Sequence, residues 1–252
     1  MSARFEGRIL FTTGGGSGIA AATARRFAAE GGRVAVVDLD EGKARAVAAE
    51  LDGSIGLGAD VSDEASVVAA IEATQRALGP VDCVLNAAGH AEFGPVEEWS
   101  LERWNRMMLV HAGGTFLVCK HLLPAMRQQG RGAIVNIAST AALTANLNNS
   151  PYGAAKGAII SFSRQLAREA APDVRVNVVA PGRTRSGMTE PLILARGEGS
   201  WEKGAEVFGA ANLQKRVGEA EELAAPICFL LSDEASFITG TQLIVDGGET
   251  AL

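Results

Sequence analysis

A chain of 252 residues, 47% apolar and 21% charged, has the make-up of one folded α/β domain and excludes a disordered chain. Its net charge of −6 gives no electrostatic case for nucleic acid or an anionic membrane as partner. Cys83, Cys119 and Cys228 are odd in number, sit in apolar segments and lack metal-ligand spacing, so buried thiols in a reducing compartment are expected, and no metal.

In chain order, residues 1–8 lead into an apolar run too short and too polar for a secretory signal. No run further on approaches the ~18 residues of a membrane span, so a cytoplasmic protein is expected. Arg8–Thr12 reads as the first strand and Ile19–Glu30 as the first helix, ended by Gly31-Gly32. Arg33–Asp38 is a second strand and Gly42–Leu51 a second helix; Ser54–Asp60 is a third, glycine-rich strand. Ser62 caps a helix over Asp63–Leu78, which Gly79-Pro80 stops. Val81–Asn86 is strand-like, Leu101–Gln129 mostly helical and Ala133–Ala138 a strand. Ser150–Ala171 is a helix closed by Pro172, Val174–Ala180 a strand, Glu219–Leu231 a helix and Gln242–Asp246 a last short strand.

These strands are near-continuous apolar runs without clean alternation, as expected where helices cover both faces of a parallel sheet. The repeated strand–helix order predicts a single doubly wound (Rossmann) domain of about seven strands, with right-handed crossovers. No linker or internal repeat divides residues 1–252. Residues 183–216 break the rhythm: they are rich in glycine and charge and carry Leu192, Trp201 and Phe208. An irregular insertion of that length reads as a substrate-binding loop or lid, with disorder as the alternative.

Two stretches carry chemistry. Thr13-Gly14-Gly15-Gly16-Ser17-Gly18-Ile19-Ala20 joins the first strand to the first helix, where glycines let a pyrophosphate approach the backbone at a helix N-terminus. Asp38 ends the second strand, 20 residues after Gly18, and is followed by Leu39. A carboxylate there accepts ribose hydroxyls and repels a 2′-phosphate, which with no Arg or Lys in the glycine loop predicts NAD(H) over NADP(H); the alternative is that Asp38 only caps the next turn. Asp60-Val61 after the third strand and Asn86-Ala87-Ala88-Gly89 after the fourth are placed to meet the adenine ring and to run along the cofactor.

The second stretch is Asn149-Ser150-Pro151-Tyr152-Gly153-Ala154-Ala155-Lys156, which holds the one tyrosine of the chain. Ser150 as cap and Pro151 at the first helical position start a helix, with Tyr152 in its first turn and Lys156 one turn on along the same face. A helix N-terminus and an ammonium both favour the phenolate, so the Tyr152 pKa is expected to fall from about 10 towards working pH, as a general acid/base requires.

With the glycine loop, Asp38, Asn86–Gly89, Ser139 and Tyr152-x3-Lys156 in this order, the chain resembles the classical short-chain dehydrogenase/reductases from about Gly7 to Gly248. The resemblance implies hydride transfer between a nicotinamide ring and an alcohol or carbonyl carbon. Tyr152 would move the hydroxyl proton, Ser139 orient the substrate oxygen, and Lys156 hold the nicotinamide ribose and keep the Tyr152 pKa low. Pro181-Gly182-Arg183-Thr184-Arg185-Ser186 resembles the family's cofactor-side loop, with Thr184 and the backbone near Gly182 facing the carboxamide or pyrophosphate. Arg183 and Arg185 are either a lure for a substrate carboxylate or simply solvated. The closing segment Gly240–Gly248 resembles one that packs at subunit contacts, which implies a homotetramer.

Three positions depart from the family pattern. Ala20 replaces a glycine and Ala87 an asparagine. His111 stands where the family usually has the asparagine that holds a proton-relaying water. A neutral imidazole also offers one donor and one acceptor and would titrate near pH 6.5; the alternatives are a space-filling role or an altered relay. His90, Phe93, Ala141, Asn146, Leu147 and the segment Leu192–Phe208 are the expected pocket lining. The leading expectation is an NAD(H)-dependent oxidoreductase of a small secondary alcohol or ketone. The rivals are a 3-oxoacyl-thioester reductase of the same family and an NAD-binding regulatory or scaffold protein impaired by His111.

Overall fold

In the computed structural model, which describes residues 3–251, β1 spans Ile9–Thr13 and α1 Gly18–Ala29. They are followed by β2 (Arg33–Asp38), α2 (Glu41–Ala48), β3 (Ile55–Gly58), α3 (Glu64–Leu78) and β4 (Cys83–Asn86). After α4 (Leu101–Met108) a π-helical turn, Leu109–Gly113, leads into α5 (Gly114–Gln128), β5 (Gly132–Ile137) and α6 (Ser150–Ala170). The chain ends through β6 (Val174–Pro181), α7 (Glu190–Arg196), α8 (Trp201–Gly209), α9 (Ala220–Leu231) and β7 (Gln242–Val245).

The seven strands form one sheet in the order β3-β2-β1-β4-β5-β6-β7, and every pair is parallel. Successive residues of a strand serve opposite faces, as the period of two requires. Leu10, Val34 and Val36 join a core with Phe27, Leu223 and Ile227 of the α1–α9 side. Phe11, Ala35 and Val37 join another with Ile71, Leu122 and Leu166 of the α3–α5–α6 side. Both faces are covered, which is why the strands read as continuous apolar runs. All three cysteines are buried, and burial pushes each thiol up to about 12.

The chain leaves β1 for β2 and β3, then crosses back to β4 on the other side of β1. Ligands of doubly wound sheets bind where the order reverses, at the carboxyl ends of the strands. Thr13 and Asn86 are partners across that gap, and the Thr13 hydroxyl accepts from the Ala87 and Ala88 amides at 3.2 and 3.3 Å, tying the two loops together.

Several local expectations are corrected. Asp63, not Ser62, caps α3 by accepting from the Ala65 amide at 3.0 Å, because Ser62 is held by the Asp60 carboxylate. Ser150 lies inside α6; Asn149 takes the cap position and makes no side-chain cap bond. The expected helix over Leu101–Gln129 is divided by the π turn at Leu109–Gly113. Residues 183–216 are neither irregular nor a bare loop: they fold into α7 and α8, which pack together through Ile193, Phe208 and Val217.

Candidate active site

The glycine loop closes on its surroundings by backbone alone. Gly14 has a φ of +67°, and a Cβ there would stand 3.0 Å from the Ala87 carbonyl and the Ala88 backbone, so only glycine fits. Ser17 makes no cap bond to α1, which leaves the first amides of that helix available to an anion. Asp38 braces the loop from the side: one carboxylate oxygen accepts from the Gly16 amide at 2.9 Å and the other from Asp40 at 3.0 Å. Each oxygen retains a lone pair, so Asp38 caps the turn and still has acceptors to offer.

A crevice of about 450 Å³ runs beside these groups, lined by Gly14, Asp38, Leu39, Asp60, Val61, Ala88 and Gly89, and by His90, Asn105 and Arg106. Its size and glycine floor fit the adenosine half of a dinucleotide. Some expected contacts lie elsewhere. Asn86 turns inward, donating to the Asn136 side chain at 2.9 Å, and braces the sheet. Pro181 continues β6, and Thr184, buried, bridges to Gly218. Lys43 is a cation the loop sequence does not reveal; its stem covers Gly16 while its ammonium lies 3.6 Å from Asp40. The 183–189 segment folds over the glycine loop, with Ser186 set 3.2 Å from where a Gly18 Cβ would be. Ser17 and Gly18 thus lie beneath that segment.

A second cavity, of about 610 Å³, is lined by Ser139, Ala141, Asn146 and Tyr152 together with Phe93 and Leu147. Ser139 follows β5 at the start of a short 3₁₀ turn, its hydroxyl accepting from the Ala141 amide at 3.2 Å. Residues α7 and α8 contribute to this cavity are Leu192, Ala195, Arg196 and Phe208. Sequence reasoning missed Asn149, Met188, Thr189 and Glu249; of these only Asn149, adjoining the tyrosine motif, carried a signal. His90, expected here, instead lines the dinucleotide crevice.

The electrostatics differ from the sequence expectation. Lys156 is buried and donates to the Ile137 carbonyl at 2.9 Å, while its ammonium stands 5.7 Å from the centre of the Tyr152 ring. Burial pulls Lys156 down to about 7 and pushes the Tyr152 phenol up to about 12, the Ser139 hydroxyl opposing the rise. Desolvation therefore outweighs the helix N-terminus and the ammonium in this arrangement. At neutral pH Tyr152 therefore rests as the phenol, while Lys156 loses its charge near neutrality.

His111 is fully buried in the π turn, a feature that often marks a functional position. Its Nε2 lies 2.8 Å from the His90 carbonyl and 3.2 Å from the His90 amide, and its Nδ1 has no partner. The ring meets Tyr152 edge-on at 5.4 Å. Burial first, then the Lys156 charge, lower its pKa to about 2, so the expected titration near pH 6.5 is overturned: the imidazole stays neutral. Gly89 makes room for it, since a Cβ there would lie 2.3 Å from His111 Cε1 and 2.7 Å from Nδ1. Gly89→Ala should cost about 1–3 kcal/mol in urea unfolding by overpacking. Most of that loss should disappear in a His111→Asn background; an equal loss there would show that the imidazole is not the obstacle.

Comparison with known proteins agrees with this architecture. The family model described as enoyl-(acyl carrier protein) reductase matches residues 14–250. A 2-(S)-hydroxypropyl-CoM dehydrogenase of Xanthobacter autotrophicus is 40% identical, the match covering 100% of both chains. An inactive 2-(S)-hydroxypropyl-CoM dehydrogenase of the same organism is 41% identical over 91% of this chain and 100% of its own. The crystal structure of levodione reductase superposes with a TM-score of 0.92 at 36% identity, covering 98% of this chain and 99% of that one. The chain belongs to the short-chain dehydrogenase/reductase family, whose members use nicotinamide cofactors, and is an oxidoreductase acting on alcohols. No helix among the described residues is long and apolar enough to cross a membrane.

Proposed function

We propose that this protein is an NAD(H)-dependent oxidoreductase that interconverts a secondary alcohol and a ketone, with Tyr152 as the acid/base. The observation that carries the reading is the convergence of Tyr152, Ser139 and buried Lys156 beside a cavity of about 610 Å³. Bound beside that cavity, the dinucleotide would supply the hydride acceptor or donor. Gly14, Ser17, Gly18 and Ile19 would hold its pyrophosphate end, Asp38, Leu39, Asp60 and Val61 its adenosine, and Ala88, Gly89, Gly182 and Lys156 its nicotinamide half.

Ser139 donates to or accepts from the substrate oxygen and holds it against the phenol. Tyr152, protonated at neutral pH, gives its proton to a ketone oxygen, and in the reverse direction its phenolate takes one from an alcohol. Lys156 supplies a positive charge next to the phenolate when it is protonated, and the Ile137 carbonyl fixes that ammonium. His111, neutral, braces the His90 peptide behind the phenol and presents an unpaired ring nitrogen to the interior. A screen of secondary alcohols and ketones with each dinucleotide tests the proposal, and turnover with none of them would refute it. One relative is named inactive, so membership of the family does not itself guarantee turnover; the intact Ser139, Tyr152 and Lys156 are the argument against a scaffold.

A pH prediction follows from the geometry. Alcohol oxidation needs the Tyr152 phenolate and should therefore rise with pH, whereas ketone reduction needs the phenol and should fall. His111, at about 2, contributes no limb above pH 5. A pH–rate profile of His111→Asn should therefore keep the position of that limb while kcat changes; a limb displaced by the substitution contradicts the assignment. We further expect a homotetramer, which the exposed side chains of Phe237, ahead of β7, of Ile244, within it, and of Leu109 and Phe116 support.

A further inference from the structure

We infer that the substrate cavity has an anion-binding wall, formed by Arg183 and Arg196, and that the alcohol it takes carries a carboxylate or a similar anionic group. The inference rests on the oxidoreductase reading for its alcohol and adds the substrate's charge. Both guanidinium groups lie over one ring: Arg183 Cζ is 4.9 Å and Arg196 Cζ 5.1 Å from the centre of Phe208. Phe208 is buried, and all three residues line the cavity that holds Tyr152 and Ser139. An arginine stacked on a fixed aromatic ring is held in place, so its planar fork loses little freedom on binding an oxyanion.

The charges on this wall are unequal. Arg183 donates from Nε to the Glu249 carboxylate at 3.0 Å and from Nη1 to the Phe208 carbonyl at 3.2 Å. Arg196 has no carboxylate partner among the described residues, and Glu249 is the one acidic residue that lines the cavity. Glu190, Glu198, Glu202 and Glu206 belong to the same two-helix unit but line other surfaces. Glu249 is pinned by its neighbours, because Asp246 accepts from the Gly248 and Thr250 amides at 2.8 and 2.7 Å. It therefore stays on Arg183, and the guanidinium of Arg196 is left for the substrate. Arg185, the other arginine singled out by sequence, stacks on Trp201 at 4.4 Å and does not line the cavity. The residue that meets the anion is thus Arg196, with Arg183 stacked on the same ring and held by Glu249. Phe93, Leu147, Met188 and Leu192 give the cavity an apolar stretch, beside the polar Asn146, Asn149 and Thr189, that suits a short carbon chain between carbinol and anion.

The test compares 3-hydroxybutyrate with its methyl ester, which share a carbinol and differ in charge. Equilibrium binding of each to the whole protein, saturated with NADH, is measured by titration calorimetry at low salt. The acid should bind about 10- to 100-fold more tightly than the ester, the range of a charge-assisted contact. In R196Q that ratio should fall towards one, with circular dichroism confirming that the exposed substitution leaves the fold intact. In R183Q the acid should bind more weakly than the ester, because Glu249 then faces it unpaired. An acid that binds no better than the ester, or a ratio unmoved by R196Q, overturns the inference. Oxidation of both compounds with equal efficiency removes the anionic wall and leaves the oxidoreductase reading standing. Charge-dependent binding with no reduction of either dinucleotide does the opposite.

Discussion

Tyr152→Phe should lower kcat/KM for alcohol oxidation by about 10²–10⁴-fold while dinucleotide binding remains. The substitution removes one oxygen atom from a half-buried ring held between His111 and Phe93. Its packing is kept, so folding stability should change little. In the proposed mechanism the oxygen is nevertheless the group whose proton the reaction moves, and its loss would leave Ser139 to orient a substrate with no acid/base partner. Steady-state kinetics with fluorescence titration of NADH check both halves. Loss of binding along with turnover would mean that the phenol holds the cofactor and not the proton. Unimpaired turnover would remove Tyr152 from the chemistry altogether.

Asp38→Asn should relax the choice of dinucleotide by about 10- to 100-fold in the ratio of kcat/KM for NAD⁺ over NADP⁺. Two unit charges about 4 Å apart interact by ~4 kcal/mol at an effective dielectric constant near 20. Solvent at the half-exposed Asp38 discounts that to the equivalent of one or two factors of ten. Asparagine keeps an acceptor for the Gly16 amide, so the glycine loop retains its brace. Lys43, with its stem over Gly16, then becomes the nearest cation for a 2′-phosphate. Kinetics with both dinucleotides decide the matter: a wild-type preference for NADP⁺, or a variant with an unchanged ratio, contradicts the assignment of Asp38.

The order of strands and helices was legible because each strand is an apolar run bounded by glycine, proline or a capping residue. Leu10 and Phe11 show why the faces were not separable by periodicity: one enters each core, and both are apolar. Tyr152 and Lys156 were legible from their spacing on a single helix, and Ser139 only through the family resemblance. What spacing could not show is desolvation. Lys156 looked like a free ammonium in sequence, whereas the fold buries it against the Ile137 carbonyl and draws it down to about 7. His111 looked like a titrating group for the same reason. Its neutrality arises from burial and from the charge of Lys156, 45 residues later, neither of which a local pattern encodes. The helices of residues 183–216 were hidden by glycines at 197, 199, 204 and 209. At Gly204 a Cβ would strike the Ile193 carbonyl at 1.9 Å, so a residue that weakens a lone helix is what lets α7 and α8 meet.

The central claim is that one cavity brings a carbinol carbon and its hydroxyl to a hydride carrier and to Tyr152 together. Label transfer tests this most directly. The protein is incubated with NAD⁺ and a secondary alcohol, such as 3-hydroxybutyrate, deuterated at the carbinol carbon, and the recovered dinucleotide is examined by NMR. Deuterium should appear on one face of the nicotinamide ring, with none lost to water, and Tyr152→Phe should suppress the transfer. Deuterium released to solvent, or a transfer that survives Tyr152→Phe, would contradict the account.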